Sequence, residues 1–394
     1  MKNWGLKHRF EMSEKSMLPK LRFSDFKENW QEKNLEDICT LQRGFDITAK
    51  SRIHGDFPVY SSSGISYFHN QYKVKGPGIV TGRKGVLGKV FFILGPHWPH
   101  DTTLWVKNFH GNDVKFVYWL LVNFKLERFD AASSIPTLNR NNVHRIKVLV
   151  PSLPEQQKIA SFLSSVDERI DLLERKKEKL EVYKKGVMQQ IFSQKIRFKQ
   201  DDGSEFPDWE ERKLGEVGDF YGGGTPESTK EHFWKGKVPW ISSSNLTDNS
   251  IFKVSKTRFI SEEAIVQSAT KKVPPGSVLI VTRVGVGKVA FSDESLCTSQ
   301  DFASIAPNNQ YNPIYLAYCL LCLRSKIINL SQGTSIKGVI LEDLKSLKIP
   351  SPSKEEQKKI AAFLNSIDEN LETLDRQIQG LRTWKKGLLQ QMFV

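Results

Sequence analysis

The chain is written twice. GDFPVYSSSGI at Gly55 to Ile65 returns as GKVPWISSSNL at Gly236 to Leu246, and IVTGRKGVLGKVFF at Ile79 to Phe92 returns as IVTRVGVGKVAF at Ile280 to Phe291. SSIP from Ser133 faces TSIK from Thr334, and EQQKIASFLSSVDE from Glu155 faces EQKKIAAFLNSIDE from Glu356. Even the lead-in repeats, since LRF at Leu21 with Trp30 is answered by IRF at Ile196 with Trp209. Two copies of about 200 residues are too few and too long for a solenoid, whose units run about 20 to 50 residues. A duplicated two-part module is what 394 residues can hold. The copies differ most between Ser66 and Ile79 on one side and Thr247 and Ile280 on the other, where the second has about twenty extra residues.

The last part of each module carries a heptad stripe. In the first copy Ile159, Leu163, Val166, Ile170, Leu173, Leu180, Val187 and Ile191 keep a 4,3,4,3 spacing, with Lys177 and Lys184 at the two interrupted places. In the second, Ile360, Leu364, Ile367, Leu371, Leu374, Ile378, Leu381, Leu388 and Met392 do the same, with Lys385 at the place matching Lys184. Patterning held over more than four heptads predicts coiled coil rather than an ordinary amphipathic helix. Two matched seams bury most simply against one another, though a bundle with a partner's helices stays open. An antiparallel pairing would carry the chain away from one globular part and bring it back to the other. The expected architecture is therefore two globular parts related by a pseudo-twofold, offering two equivalent surfaces to two copies of a partner.

The first part of each module mixes strand-like runs such as KVFFIL at Lys89 with helix-like runs such as Val114 to Arg128, which predicts an α+β domain. The net charge of +14 points to an acidic polymer. It concentrates on the globular parts, with 19 basic and 11 acidic residues over 19–152 and 17 and 14 over 209–351. Candidate residues for contact with a nucleic acid follow from hydroxyls, amides and cations in turns and glycine-punctuated loops. In the first module these are Arg43, Ser61, Ser62, Ser63, Tyr67, Arg83, Lys84 and Lys89. In the second they are Thr225, Ser242, Ser243, Ser244, Asn245, Arg283, Lys288, Thr334 and Ser335.

Catalytic signatures are missing from the sequence. Neither GK dipeptide is a phosphate-binding loop, because Arg83 and Thr282 stand where the first glycine belongs and Val90 and Val289 replace the hydroxyl residue. Asn312-Pro313-Ile314-Tyr315 lacks the second proline of an adenine methyltransferase motif and reads better as a proline starting a helix. Of the cysteines Cys39, Cys297, Cys319 and Cys322, the last two form a CxxC pair inside YLAYCLLCLRSKI without a second ligand pair, so helix packing is expected rather than a metal. Few cysteines and no basic-then-apolar leader at Met1 to Met17 point to the cytoplasm, and the most apolar run, Tyr315 to Leu323, is too short to span a membrane.

The chain resembles the specificity subunits of type I restriction-modification systems. The likeness rests on PSLPEQQKIASFL at Pro151, IPSPSKEEQKKIAAFL at Ile349, the GGGTP of Gly222 to Pro226, and YKKGVMQQIF at Tyr183 against WKKGLLQQMF at Trp384. The first domain departs from it, with GFDIT at Gly44 where GGTP-like residues often stand. The resemblance implies a tail (1–18), a first recognition domain (19–152), a helical region (153–194), a linker (195–208), a second recognition domain (209–351) and a second helical region (352–394). It further implies a non-catalytic chain that reads a split sequence in double-stranded DNA, the helices measuring the spacer. Two methyltransferase subunits would be bound for N6-adenine methylation, and restriction subunits recruited. S-adenosylmethionine, ATP and Mg would sit on those partners, with no cofactor on this chain. The competing readings are a coiled-coil scaffold with no role on DNA and a self-contained DNA-modifying enzyme.

Overall fold

A computed structural model describes residues 18–130, 135–332 and 338–394. The chain divides into two compact units, one holding the residues up to Leu173 together with Gln377–Val394, the other holding Glu174–Arg376. The division cuts both long helices, Leu153–Phe192 and Lys354–Met392, so each unit contains one globular part and a portion of each helix. No helix among the described residues is long and apolar enough to cross a membrane.

In the first unit a four-stranded antiparallel sheet runs in the order Thr40–Arg43, Thr103–Asn108, Gly78–Gly82, Val90–Ile93. Beside it lies a three-stranded sheet of Gly64–His69, Phe57–Ser61 and Trp98–Pro99, the last pair parallel. The second unit repeats the plan. Its larger sheet has the order Gly218–Gly222, Phe302–Pro307, Ser277–Val281, Val289–Ser292, and its smaller sheet gains a strand to become Arg258–Ile260, Val238–Ile241, Leu296–Thr298, Lys272–Val273. The strand SVLIV at Ser277–Val281 is buried along its whole length because alternate side chains enter different cores. Val278 and Ile280 meet the helix Pro313–Cys322, whereas Leu279 and Val281 meet Ile241, Val273 and Leu296 of the smaller sheet.

The ladders correct one detail of the repeat. Ile79 lies opposite Phe92 and Val278 opposite Phe291, while Leu138 N–H donates to Arg83 O as Val339 N–H donates to Thr282 O. Ile79 therefore stands where Val278 does, not where Ile280 does, and Lys84 rather than Arg83 is the counterpart of Arg283. The matching letters IVT had placed the two copies out of step because two apolar runs match almost as well when slid.

The helices run antiparallel within each unit. In the first, Asp167 of the first long helix pairs with Lys385 of the second, and Phe162 meets Trp384 edge-on at 5.9 Å. In the second, Lys184 Nζ lies 2.6 Å from Asp368 Oδ1 and Lys177 Nζ 2.6 Å from Asp375 Oδ1. The three lysines that interrupt the apolar stripe thus meet aspartates of the facing helix. Ile159, Leu163, Val166, Ile170, Leu173, Val187, Ile360, Leu364, Ile367, Leu374, Ile378 and Leu388 are buried, and Leu180, Leu371 and Leu381 half-buried. In the second unit the stripe does not close on itself alone, since Val187, Ile360, Leu364 and Ile367 share one core with Tyr315 and Tyr318 of the domain.

The repeated Glu-Gln at each helix start ties three segments together. Glu155 receives Arg22 Nε at 2.7 Å, Arg22 Nη2 at 2.8 Å and Trp30 Nε1 at 3.2 Å. Glu356 likewise receives Arg197 Nη2 and Trp209 Nε1, both at 2.9 Å. The next residue reaches the domain helix: Gln156 Oε1 accepts from Asp113 N–H at 3.0 Å, and Gln357 Oε1 from Asn312 N–H at 2.8 Å. Asn312 in turn caps Pro313–Cys322, its Oδ1 accepting from Ile314 and Tyr315 N–H, so the Asn-Pro pair starts a helix. Asn312→Ala is expected to cost about 1 kcal/mol, seen as a fall of about 2–4 °C in the melting of the second unit. An unchanged midpoint would show that the cap contributes nothing. Cys319 is buried and Cys322 half-buried on this same helix, and burial raises both thiols.

Candidate nucleic-acid interface

In each unit the loops at one end of the larger sheet come together by antiparallel pairing. In the first unit these are the loop after Arg43, the Arg83–Lys89 loop joining Gly82 to Val90, and the His100–Thr102 turn before Thr103. The Ser61–Gly64 turn of the smaller sheet joins them through the parallel Tyr60–Pro99 pairing. Glycine makes the close approach feasible at two equivalent points. A Cβ on Gly44 would stand 2.1 Å from His100 O and one on Gly223 1.9 Å from Ser299 O, so GFDIT and GGTP share the one residue their backbone requires.

The structure sorts the sequence-derived candidates into distinct positions. Lys84, Lys89 and Arg283 are exposed, and their side chains have no hydrogen-bond or ion-pair partner among the described residues. Arg43 is half-exposed but engaged, its Nη2 3.0 Å from Asp46 and 3.2 Å from Asp101. Arg83 donates from Nε to Asp101 O at 2.9 Å. Lys288 turns inward, donating to Leu246 O at 3.0 Å and Ser243 O at 3.4 Å, and so holds the serine turn. The serines make turns, with Ser61 Oγ 3.1 Å from Ser63 Oγ and Ser242 Oγ 2.9 Å from Ser244 Oγ. Ser62 and Ser243 are buried. Asn245 Oδ1 accepts from Ser242 N–H, closing a capping box. Tyr67 packs its ring against Ile47, Val59 and Trp98 beneath Arg52, with its hydroxyl buried. Thr225 donates its hydroxyl to Gln300 Oε1. Thr334 and Ser335 lie outside the described residues.

Four polar residues at these ends were not singled out in the sequence: Asp46, His100 and Asp101 in the first unit, Gln300 in the second. They stand in loops whose contribution depends on strand order. A sequence signal did exist, because His100-Asp101 and Ser299-Gln300 fall at the same distance before the last strand of each sheet. Among the described residues no group of three or more His, Cys, Asp or Glu side chains is placed to hold a metal ion. Burial pushes the Cys39 thiol up to about 12 and also raises Cys297, so neither thiol is prepared to act as a nucleophile at neutral pH.

A family model described as the type I restriction modification DNA specificity domain matches twice, over residues 27–182 and 207–382. The MjaIX specificity subunit of Methanocaldococcus jannaschii is 30% identical over 207 residues, covering 52% of this chain and 48% of that protein. The putative MjaX specificity subunit of the same organism is 28% identical over 322 residues, covering 77% and 72%. The EcoR124I/EcoR124II specificity subunit of Escherichia coli is 32% identical over 164 residues, 40% of each. The chain thus spans about half the length of the first of these relatives and about two fifths of the third. In fold it is similar to the S subunit of a type I restriction-modification system from M. genitalium, with a TM-score of 0.63 at 18% identity over 96% of this chain and 99% of the other. A second chain, solved in work on assembly and conformational transition of the type I system, gives 0.57 at 19% identity over 92% and 95%.

Proposed function

The chain belongs to the type I restriction-modification DNA specificity family, and from that membership we propose a division of labour for its parts. Residues 19–152 and 209–351 each read one half of a split target in double-stranded DNA. The helical regions 153–194 and 352–394 set the spacer between the halves and dock two methyltransferase subunits, which methylate adenine at N6, while restriction subunits act on unmodified DNA. The chain supplies recognition and no catalysis.

The observation that carries this reading is that each unit gathers its loops at one sheet end, and that the exposed cations Lys84, Lys89 and Arg283 stand there without partners among the described residues. Unengaged cations on a hydroxyl-lined surface suit phosphate oxygens, whose neutralisation releases counterions and gives binding its salt dependence. The two surfaces differ in their polar residues, which suits two unlike half-sites.

The test is to express the chain with its candidate methyltransferase in a methylation-free host and map N6-methyladenine across the genome. A split motif with a fixed spacer, absent when either protein is omitted, is the expected result. A stable complex with no methylation would instead favour a scaffold. With purified complex, Lys84→Glu/Lys89→Glu is expected to weaken binding to all DNA sequences alike and to lower the slope of log affinity against log salt by about two, roughly 0.9 for each phosphate that is no longer neutralised. An unaltered slope would remove these lysines from the interface.

A further inference from the structure

The two sheet ends are built alike in backbone but opposite in hydrogen-bonding character at one position. Phe45 N–H donates to Pro99 O as Gly224 N–H donates to Thr298 O, and Arg83 N–H donates to Thr102 O as Thr282 N–H donates to Asp301 O. Between these fixed points stand Asp101 in the first unit and Gln300 in the second. A carboxylate only accepts, whereas an amide both donates and accepts.

Each is held in a defined orientation. Asp101 sits with Oδ1 2.8 Å from His100 Nδ1 and Oδ2 3.2 Å from Arg43 Nη2, its own carbonyl gripped by Arg83 Nε at 2.9 Å. Each carboxylate oxygen keeps a lone pair beyond these contacts. Gln300 is exposed, and its Oε1 accepts a hydrogen bond from the Thr225 hydroxyl, so the amide nitrogen is the end left to act. That nitrogen has no partner among the described residues, and the side chain lines a cleft of about 670 Å³ shared with Tyr221, Arg283 and Gln332. Gln332 is also oriented, its Nε2 donating to Asp343 Oδ2 at 2.9 Å and leaving its oxygen to accept. The residues lining the cleft therefore include a free amide donor on Gln300, a free amide acceptor on Gln332, the Arg283 guanidinium and the aromatic Tyr221. Arg283 suits a phosphate, whereas a donor together with an acceptor on the two amides is the complement of a base edge, since a phosphate carries acceptors alone.

We propose that Gln300 and Asp101 are the base-reading residues of the two half-sites and that they read edges of opposite polarity. Gln300, positioned by Thr225, donates to a base acceptor such as guanine O6 or N7 or thymine O4. Asp101, positioned by Arg43 and by the grip of Arg83 on its carbonyl, accepts from an exocyclic amine, cytosine N4 or adenine N6. The inference rests on the reading of each module as a half-site reader and adds which side chains do the reading.

The test uses the assembled methyltransferase complex on duplexes carrying the mapped target with every base pair substituted in turn. Gln300→Glu is expected to lower methylation of the parent site about 10-fold or more and to change the preferred base at one position of one half-site only. Asp101→Asn is expected to do the same at one position of the other half. Thr225→Val is expected to loosen discrimination at the position that Gln300→Glu alters, while the rest of the motif stays intact. If both principal variants weaken all sequences equally, or leave every preference unchanged, the assignment is wrong although the split motif stands. If the unaltered complex shows no split motif, the half-site reading itself fails, and the assignment with it.

Discussion

Asp368→Ala is expected to destabilise the second unit by about 3–5 kcal/mol, because it removes one partner of a buried ion pair and leaves the other charge uncompensated. Lys184 and Asp368 are only 6% and 9% exposed in their side chains. Asp368 Oδ2 also accepts from Tyr318 Oη at 2.5 Å, and the Lys184 ammonium lies 5.2 Å from the centre of the Tyr318 ring. Burial, with the Asp368 charge beside it, raises the Tyr318 phenol, so this residue stays a donor throughout the physiological range. One carboxylate thus joins the first long helix, the second, and the domain helix. The first unit has the same arrangement in weaker form. Asp167 and Lys385 are 37% and 21% exposed, and Trp119 takes the place of Tyr318 beneath the lysine, its buried indole nitrogen without a hydrogen-bond partner among the described residues. Asp167→Ala is accordingly expected to cost no more than about 1 kcal/mol. Urea unfolding of the two variants, with hydrogen exchange resolving Tyr315 to Cys322, measures the difference. Lys184→Met combined with Asp368→Leu and Tyr318→Phe should recover much of the loss, since the apolar trio needs no compensation and no buried hydroxyl is left without its acceptor. Equal losses in the two units, or no recovery in the triple variant, would refute the account.

The same residues show where the sequence was legible. The apolar stripe could be read because its period is a local property of the chain, and the doubled α+β plan because both copies keep their strand letters. Lys177, Lys184 and Lys385 read only as interruptions, since their aspartates lie nearly two hundred residues away or more and become partners only once the helices are set antiparallel. Glu155 and Gln156 were visible as a repeated pair, yet their work is done on Arg22, Trp30 and Asp113, segments brought to the helix start by the fold. Side-chain direction was the least legible feature of the site. Lys288 and Lys89 occupy matching places in matching words, but one points at backbone carbonyls and the other at solvent. Asp101 and Gln300 share only their distance before the last strand of each sheet, and the ladders were needed to set those two loops position against position.

Inserting one heptad into the first long helix after Leu173 is expected to abolish modification, and inserting one into both helices, after Leu173 and at the facing place after Ile378, to restore it on a target with a longer spacer. A heptad keeps the apolar stripe in phase, so the seam alone would tolerate the change. The ion pairs would not. Seventeen residues separate Asp167 from Lys184 in one helix, and seventeen separate Asp368 from Lys385 in the other. This equality lets Asp167–Lys385 and Lys184–Asp368 form together. With twenty-four residues facing seventeen, only one of the two can be made, and the domain helices tied to them through Trp119 and Tyr318 cannot both keep their seats. The matched insertion restores the equality and lengthens each helix by about 10 Å, or up to about three base pairs of duplex. Mapping methylated sites in the two insertion variants reads the result directly. A single insertion that leaves motif and spacer unchanged would show that the paired helices do not measure the target, and a double insertion with the original spacer would show that the half-sites are positioned by something other than helix length.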